Sequence, residues 1–482
     1  MNDSPRTASE PEVKAAQESR TAALRDLDKL RATAVQLHKE SRLTEAVAAY
    51  EAYLIRRPQD ARLWSNLGVA LRKLKRLEAA EASYLRALEL APDHPDYLGN
   101  LANVLKDLDR LDEAIAAHRQ ALSKKPDNID LRFNYGLALR EAGRFEEALA
   151  QFDTCVAAAP EMAKYHWDRA LALLHVGRMQ EGWDAYGWRW KIGELPAPPY
   201  ETPEWRGEDV AGKTVLLFPE QGFGDTILAS RFIPLLKARG ANVILECKPP
   251  LRRLFAGFEG VDRIVEPKSL LEGFDYHCSL MNLPGIFQAR LEALPPMPRF
   301  EIPPAARDKM TPLIRLAGDR FKVGIVWSGS VTFKNNRKRS VPASRFMALL
   351  RVPGVQLYSL QKGPREEELA ALGAGPLIID IGRRVEDFAE TAAVIDELDL
   401  VIMTDSSVAH LTSALRKPLW NLLCHVSYWV YGQSGETTPW YPSMRLIRQP
   451  VAGDWDSVFS RVTENLAKAV ALKKAGRWPK HV

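Results

Sequence analysis

In the N-terminal part of the chain apolar positions recur at helical spacing, and the whole pattern then repeats. Pro58, Pro92, Pro126 and Pro160 stand 34 residues apart. Between them small residues return where two helices must approach closely: Gly68 and Ala80, Ala102 and Ala114, Gly136 and Ala148. Larger or apolar partners surround them, with Leu67, Leu71, Tyr84 and Ala87 in one copy, Leu101, Leu105 and Ala121 in the next, and Tyr135, Leu139 and Phe152 in the third. Each unit is predicted to be a helix pair that buries its apolar face on its neighbours. A weaker first copy (Ala46, Tyr50, Pro58) and a divergent last one (Ala170, Tyr186) suit the atypical ends of such an array. The polar residues 1–22 are expected to be a disordered leader, with the repeats over 23–190.

The period of 34 is that of tetratricopeptide (TPR) repeats. A Pro-rich passage from Leu195 to Trp205 ends it, and residues 191–212 are read as a linker or lobe-docking segment. Beyond it, short apolar runs alternate with helical patterns. Strands are expected at Lys213–Phe218, Ala241–Glu246 and Phe274–Ser279, with helices at Asp225–Arg239 and Leu251–Phe258. After a second Pro-rich stretch, Leu294–Pro304, strands are expected at Val323–Trp327, Val355–Leu360, Leu377–Ile381, Leu398–Thr404 and Leu419–Leu423. This grammar predicts an α-solenoid followed by two Rossmann-like lobes, 213–300 and 305–455, with parallel sheets and a cleft at the strands' carboxyl ends. A C-terminal helix and tail fill 456–482.

Composition narrows the function classes. Lys plus Arg number 66 against 61 Asp plus Glu, a net charge of +5 that carries no global signature of nucleic-acid binding. Cys155, Cys247, Cys278 and Cys424 lie far apart, without zinc-site or disulfide spacing, and read as reduced, buried thiols. No stretch reaches the roughly 18 uncharged apolar residues of a membrane span, so a cytoplasmic protein without a membrane span is expected.

Three loops after expected strands gather the candidate chemistry. Pro219-Glu220-Gln221-Gly222-Phe223-Gly224-Asp225 joins the first strand to a helix, where Gly222 and Gly224 permit a tight turn close to a ligand. It lacks the third glycine of the dinucleotide fingerprint and the lysine of a P-loop. Thr404-Asp405-Ser406-Ser407-Val408-Ala409-His410 opens another helix, whose free backbone donors, with Asp405, Ser406, Ser407 and His410, suit a diphosphate. Trp327-Ser328-Gly329-Ser330 leads into a basic run containing Lys334, Arg337, Lys338 and Arg339, and Gln361 and Lys362 end the next strand, all placed to reach phosphate or base. The bland readings are a helix cap for Asp225, a structural histidine for His410 and a solvated loop for the cations. Asp454 and Asp456, the Asp-x-Asp of this half, read as a helix cap, with no metal expected.

In the repeats, one helix position holds Asn66, Asn100, Asn134 and Asp168 in succession. Amides offer donor and acceptor together and can pair with an extended peptide backbone. This ladder resembles the one that holds acceptor polypeptides in TPR-containing O-linked N-acetylglucosamine transferases; the alternative is a structural role between repeats.

Residues 213–254 resemble the TPR-linked branch of the bacterial heptosyltransferase-like family, whose Gly-Asp after the first strand supplies the catalytic carboxylate. Pro439-Trp440-Tyr441-Pro442 and Arg448-Gln449-Pro450 extend the likeness, while Ser406 and Ser407, Phe333 and Asn336 depart from it. The resemblance implies a GT-B glycosyltransferase fold, with Asp225 as general base and Glu220 in reserve, and Gly222, Gly224 and the other two loops around a nucleotide-sugar co-substrate. In such proteins the C-terminal helix often braces the first lobe. Inverting, metal-independent transfer to Ser or Thr of a protein on the TPR array is the expected activity, with flagellin as the acceptor that the architecture suggests. The alternatives are a cell-surface saccharide acceptor and a non-catalytic TPR scaffold.

Overall fold

The computed structural model describes residues 10–193, 195–331 and 336–481. The chain divides into two compact units, Met1–Tyr165 and His166–Val482, so the boundary falls inside the last repeat rather than after it.

In the first unit the helix pairs Ala61–Lys73/Leu77–Leu90, Pro95–Asp107/Leu111–Lys124 and Ile129–Glu141/Phe145–Ala158 follow one another, preceded by Glu10–Lys39 and Leu43–Arg56. Residues 10–22 of the expected leader are thus helical; residues 1–9 lie outside the described residues. The small positions have a steric cause. A Cβ on Gly68 would stand 2.7 Å from the Tyr84 ring, and one on Gly136 would stand 2.6 Å from Phe152. Fully buried His118 takes the same place in the repeat between them. Between repeats, Arg72 pairs with Asp107 at 2.8 Å and Lys106 with Glu141 at 3.1 Å, a stepwise ion-pair row 35 residues apart. Asn66, Asn100 and Asn134 are half-buried, each on the first helix of its repeat. Asp168 belongs to the second unit, so the ladder in the first unit has three rungs.

The second unit contains two wholly parallel sheets. The first comprises β1 (Thr214–Phe218), β2 (Asn242–Glu246), β3 (Arg263–Val265) and β4 (Tyr276–Ser279), in the order β3-β2-β1-β4. The second comprises β5 (Phe321–Val326), β6 (Val355–Ser359), β7 (Ile378–Asp380), β8 (Leu400–Thr404), β9 (Leu419–Leu423) and β10 (Met444–Arg448), in the order β10-β9-β8-β5-β6-β7. In both the strand order reverses, beside β1 in one and beside β5 in the other. Ligands bind such sheets beyond the carboxyl ends of the strands flanking that reversal, which selects the loops after β1, β4, β5 and β8. Both faces of each sheet are covered, in the first by helices on one side and by Tyr200, Leu270 and Phe274 from loop segments on the other, so β1, β8 and β9 are almost wholly buried, which explains their unbroken apolar runs.

Several expectations change. The Pro-rich segment expected as a linker is part of the first sheet's edge: Trp205 is fully buried, its N–H donates to His277 O at 2.8 Å, and Glu204 bridges to His277. The expected helix from Asp225 is two helices, Phe223–Ser230 and Ile233–Ala238. The C-terminal helix, Trp455–Lys474, packs Val458, Phe459, Val462 and Leu466 against the core of the second sheet, with Phe321, Val323 and Phe346, instead of bracing the first lobe. Its own apolar stripe matches that face. Asp454 caps it, accepting the Ser457 N–H at 3.0 Å. Among the described residues no helix is long and apolar enough to cross a membrane.

Candidate functional site

The turn after β1 carries Asp225 into the first turn of helix Phe223–Ser230, where its Oδ2 accepts the Gly222 N–H at 3.1 Å. Its other oxygen, Oδ1, accepts the Tyr428 hydroxyl at 3.0 Å across from the second lobe. Asp225 therefore does cap its helix, but one carboxylate oxygen is turned to the interlobe side. Burial pushes this carboxyl up to about 6; the Tyr428 and Gly222 bonds oppose the rise, and the neighbouring carboxylates Glu220 and Asp405 add to it.

Helix Ser407–Ala414 meets helix Phe223–Ser230 at its own N-terminus. A Cβ on Gly224 would lie 2.7 Å from His410 Cδ2 and 3.4 Å from the Ser407 backbone, so glycine is needed here for close packing of the two helices. His410 is buried, with Nδ1 2.9 Å from the Tyr441 hydroxyl. Burial lowers its pKa to about 4, so the ring is neutral at neutral pH and any donation to a ligand comes from a tautomer, not from an imidazolium. Ser406 is the N-cap and, with Ser407, remains partly exposed at the helix mouth. Asp405 accepts the Tyr431 hydroxyl at 2.6 Å and pairs with Arg339 at 3.0 Å.

One segment between β9 and β10 thus supplies three phenols, Tyr428, Tyr431 and Tyr441, one to each titratable group: Asp225, Asp405 and His410. Burial raises the pKa of all three, so they stay protonated at neutral pH. Buried Arg231 stacks on Trp440 and Tyr441 and donates to Trp440 O at 2.8 Å, tying the first lobe to this segment. Sequence reading passed over these roles because the segment has no periodicity; its density of Trp and Tyr among Gly and Pro was the available signal.

Other candidates prove to be held elsewhere. Glu220 is buried in an ion pair with Arg189 at 2.9 Å and also accepts the Ser279 hydroxyl, which removes it as a reserve base. Buried Gln361 uses its amide to pin the backbone of Trp327, Ser328 and Lys362, and Lys362 donates to the carbonyls of Gly382 and Val385. The Gln361 amide is thus spent on backbone, contrary to expectation, whereas exposed Lys362 keeps a third N–H beyond those two carbonyls. The Ser328 hydroxyl joins Ser340 and Asn336 in an internal network, and Gly329 lies against the Arg339 guanidinium, where a Cβ would come within 2.6 Å of it. Exposed Arg337 lines a cavity of about 460 Å³ with Asn336, Ser340 and Arg365. Lys334 lies outside the described residues. Half-buried Lys248, at the end of β2, was missed; its Nζ donates to Gln221 O and buttresses the Gly222 turn.

The geometry thus gathers Gly222, Gly224, Asp225, Asp405, Ser406, Ser407 and His410 at the strand ends that the topology selects.

Comparison with known proteins identifies the repeats. Residues 59–127 match one tetratricopeptide-repeat model and 105–174 a second, so this part of the chain consists of TPR repeats, which are protein-interaction modules. Protein FlbA of Caulobacter vibrioides is 28% identical over 316 residues, covering 59% of this chain and 52% of that protein; the chain spans about half the length of the curated relative it matches. Among solved structures, MamA is similar at 17% identity and a TM-score of 0.31, over 33% of this chain and 94% of its own. A MamA segment from Desulfovibrio magneticus RS-1 is similar at 18% identity and a TM-score of 0.31, over 35% and 93%. YrrB, described as a TPR protein with an unusual peptide-binding site, is similar at 20% identity and a TM-score of 0.30, over 33% and 82%.

Proposed function

We propose that the chain is a glycosyltransferase of the GT-B type that moves a sugar from a nucleotide-activated donor to Ser or Thr hydroxyls of a protein acceptor. The observation that carries this reading is Asp225: a carboxylate raised to about 6, at the carboxyl edge of one parallel sheet, bonded across to the segment beside the Ser407–Ala414 helix of the other. A carboxylate with that pKa is ionised at neutral pH yet basic enough to take a proton from an attacking hydroxyl. The oxygen freed of its proton attacks the anomeric carbon, the bond to the nucleotide phosphate breaks, and the charge leaves with the phosphate. Ser406, Ser407 and the helix N-terminus are the groups suited to receive it. A single carboxylate in this position favours inversion at the anomeric carbon. Inside the cytoplasm the donor would be a nucleoside mono- or diphosphate sugar.

TPR repeats supply the acceptor side of the proposal, and the half-buried amides of Asn66, Asn100 and Asn134, at one position of successive repeats, suit an extended polypeptide. Flagellin is the acceptor suggested by the resemblance to TPR-containing flagellin glycosyltransferases. Intact-mass spectrometry of candidate acceptors after incubation with activated sugars tests this reading. A sugar increment on the acceptor is expected, and with Asn66, Asn100 and Asn134 all changed to Ala the KM for acceptor should rise about tenfold or more while donor affinity stays constant. Unchanged acceptor kinetics in that variant would remove the ladder; an increment on a saccharide alone would move the acceptor to the cell surface.

A further inference from the structure

We infer that the last helical repeat, from His166 to Lys191, is a built-in part of the catalytic site, with Tyr186 and Arg189 as positioning residues for the Gly222–Asp225 turn; this rests on reading Asp225 as the base. The repeat holds the chain neighbours of both groups that bond Asp225.

On the first-lobe side, the Tyr186 hydroxyl accepts the Gln221 amide at 2.7 Å, one residue before Gly222. Arg189, 1% exposed, pairs with Glu220 and donates to Ser279 Oγ at 3.1 Å, Asn282 Oδ1 at 2.8 Å and Tyr186 O at 3.0 Å. One guanidinium thus fastens the loops after β1 and β4, the two that flank the reversal of strand order. On the second-lobe side, His175 Nε2 lies 3.1 Å from Ser427 O, Gln433 donates to His175 O at 3.2 Å, and Trp183 meets Trp429 edge-on at 5.3 Å. Those contacts bracket Tyr428, whose hydroxyl reaches Asp225.

Repeat packing does not require the Tyr186 hydroxyl. Tyr186 occupies the position held by Tyr84, His118 and Phe152 in earlier repeats, and Phe152 packs there without one. A hydroxyl at this place has work to do only where it meets Gln221. The consequence is that Asp225 and the residues from His166 to Lys191 belong to one packed unit.

The test is titration of Asp225 by carboxyl ¹³C NMR of the full chain labelled at aspartate, its signal assigned by loss in Asp225→Asn. In Tyr186→Phe, loosening the turn weakens the Gly222 bond, so the midpoint is expected to move up by about half a unit, with Glu220, Asp405 and Tyr428 still in place around it. A midpoint equal to that of the unaltered chain overturns the inference. Arg189→Lys, which keeps the charge but not the fork, should give a displacement in the same direction, and Leu171→Ala, on the same repeat away from the turn, should give none. The readout needs no turnover, so failure of transfer in the unaltered chain would count against the proposed reaction and leave the positioning result standing. Where transfer is measured, Tyr186→Phe should lower kcat about tenfold with KM for donor unchanged.

Discussion

Asp225→Asn is expected to lower transfer by about 10²- to 10⁴-fold while donor binding persists and the protein becomes more stable. Stability and activity part here because of the sign of the pKa change. The ordinary value of 3.8 rises to about 6 in the folded chain, so the folded state holds the proton more tightly than the unfolded one. Asp225 therefore stabilises the fold below about pH 4, and that contribution is lost as pH rises through 6. At pH 7 the ionised group costs at most about 3 kcal/mol, less in practice because the residue is partly open to solvent. Asn keeps an acceptor for the Gly222 N–H and removes the charge. Thermal melts should show the variant above the unaltered protein at pH 7, with the gap closing toward pH 4, and transfer by the unaltered protein should rise with pH through about 6. If Asp225 were only a helix cap, the melts would still show this pH dependence but transfer would not fall.

Arg189→Met is expected to destabilise the second unit by about 3–5 kcal/mol, because it leaves the Glu220 carboxylate buried without its partner. Three further acceptors, Ser279, Asn282 and Tyr186 O, lose their donor at the same time. Adding Glu220→Gln should recover a large part of the loss by removing the stranded charge. A denaturant melt of the single and double variants reads this directly: a loss below about 1 kcal/mol in Arg189→Met would mean that the pair is dispensable.

How far the sequence could be read depended on periodicity. The repeats are legible because a 34-residue pattern is stated several times over, and the central strands because burial on both faces leaves continuous apolar runs. Strands β3 and β10 were missed: the first is three residues long and only partly buried, and the second carries Arg445 and Arg448. Within the site, Asp225 and the Ser407–Ala414 helix mouth were visible as residues just after strands. Glu220 and Gln361 were misjudged for one common reason. A polar residue after a strand can face a ligand or hold the loop, and the choice rests on distant partners such as Arg189 and Ser328 that no local spacing reveals. The three tyrosines of the β9–β10 segment were opaque for the same reason, since each acts on a residue of another element.

The most direct test of the central claim is a thermal-shift panel of the full chain against CMP, UDP, GDP, ADP and their activated sugars, because a ligand that binds only the folded state raises its melting temperature. The proposed donor site requires one nucleotide class to stabilise the protein, by about 2.7 kcal/mol at one hundred times its Kd, and requires that gain to vanish when Ser406 and His410 are both changed to Ala. No shift with any of them at millimolar concentration would contradict a donor site in the cleft and leave the chain as a TPR scaffold.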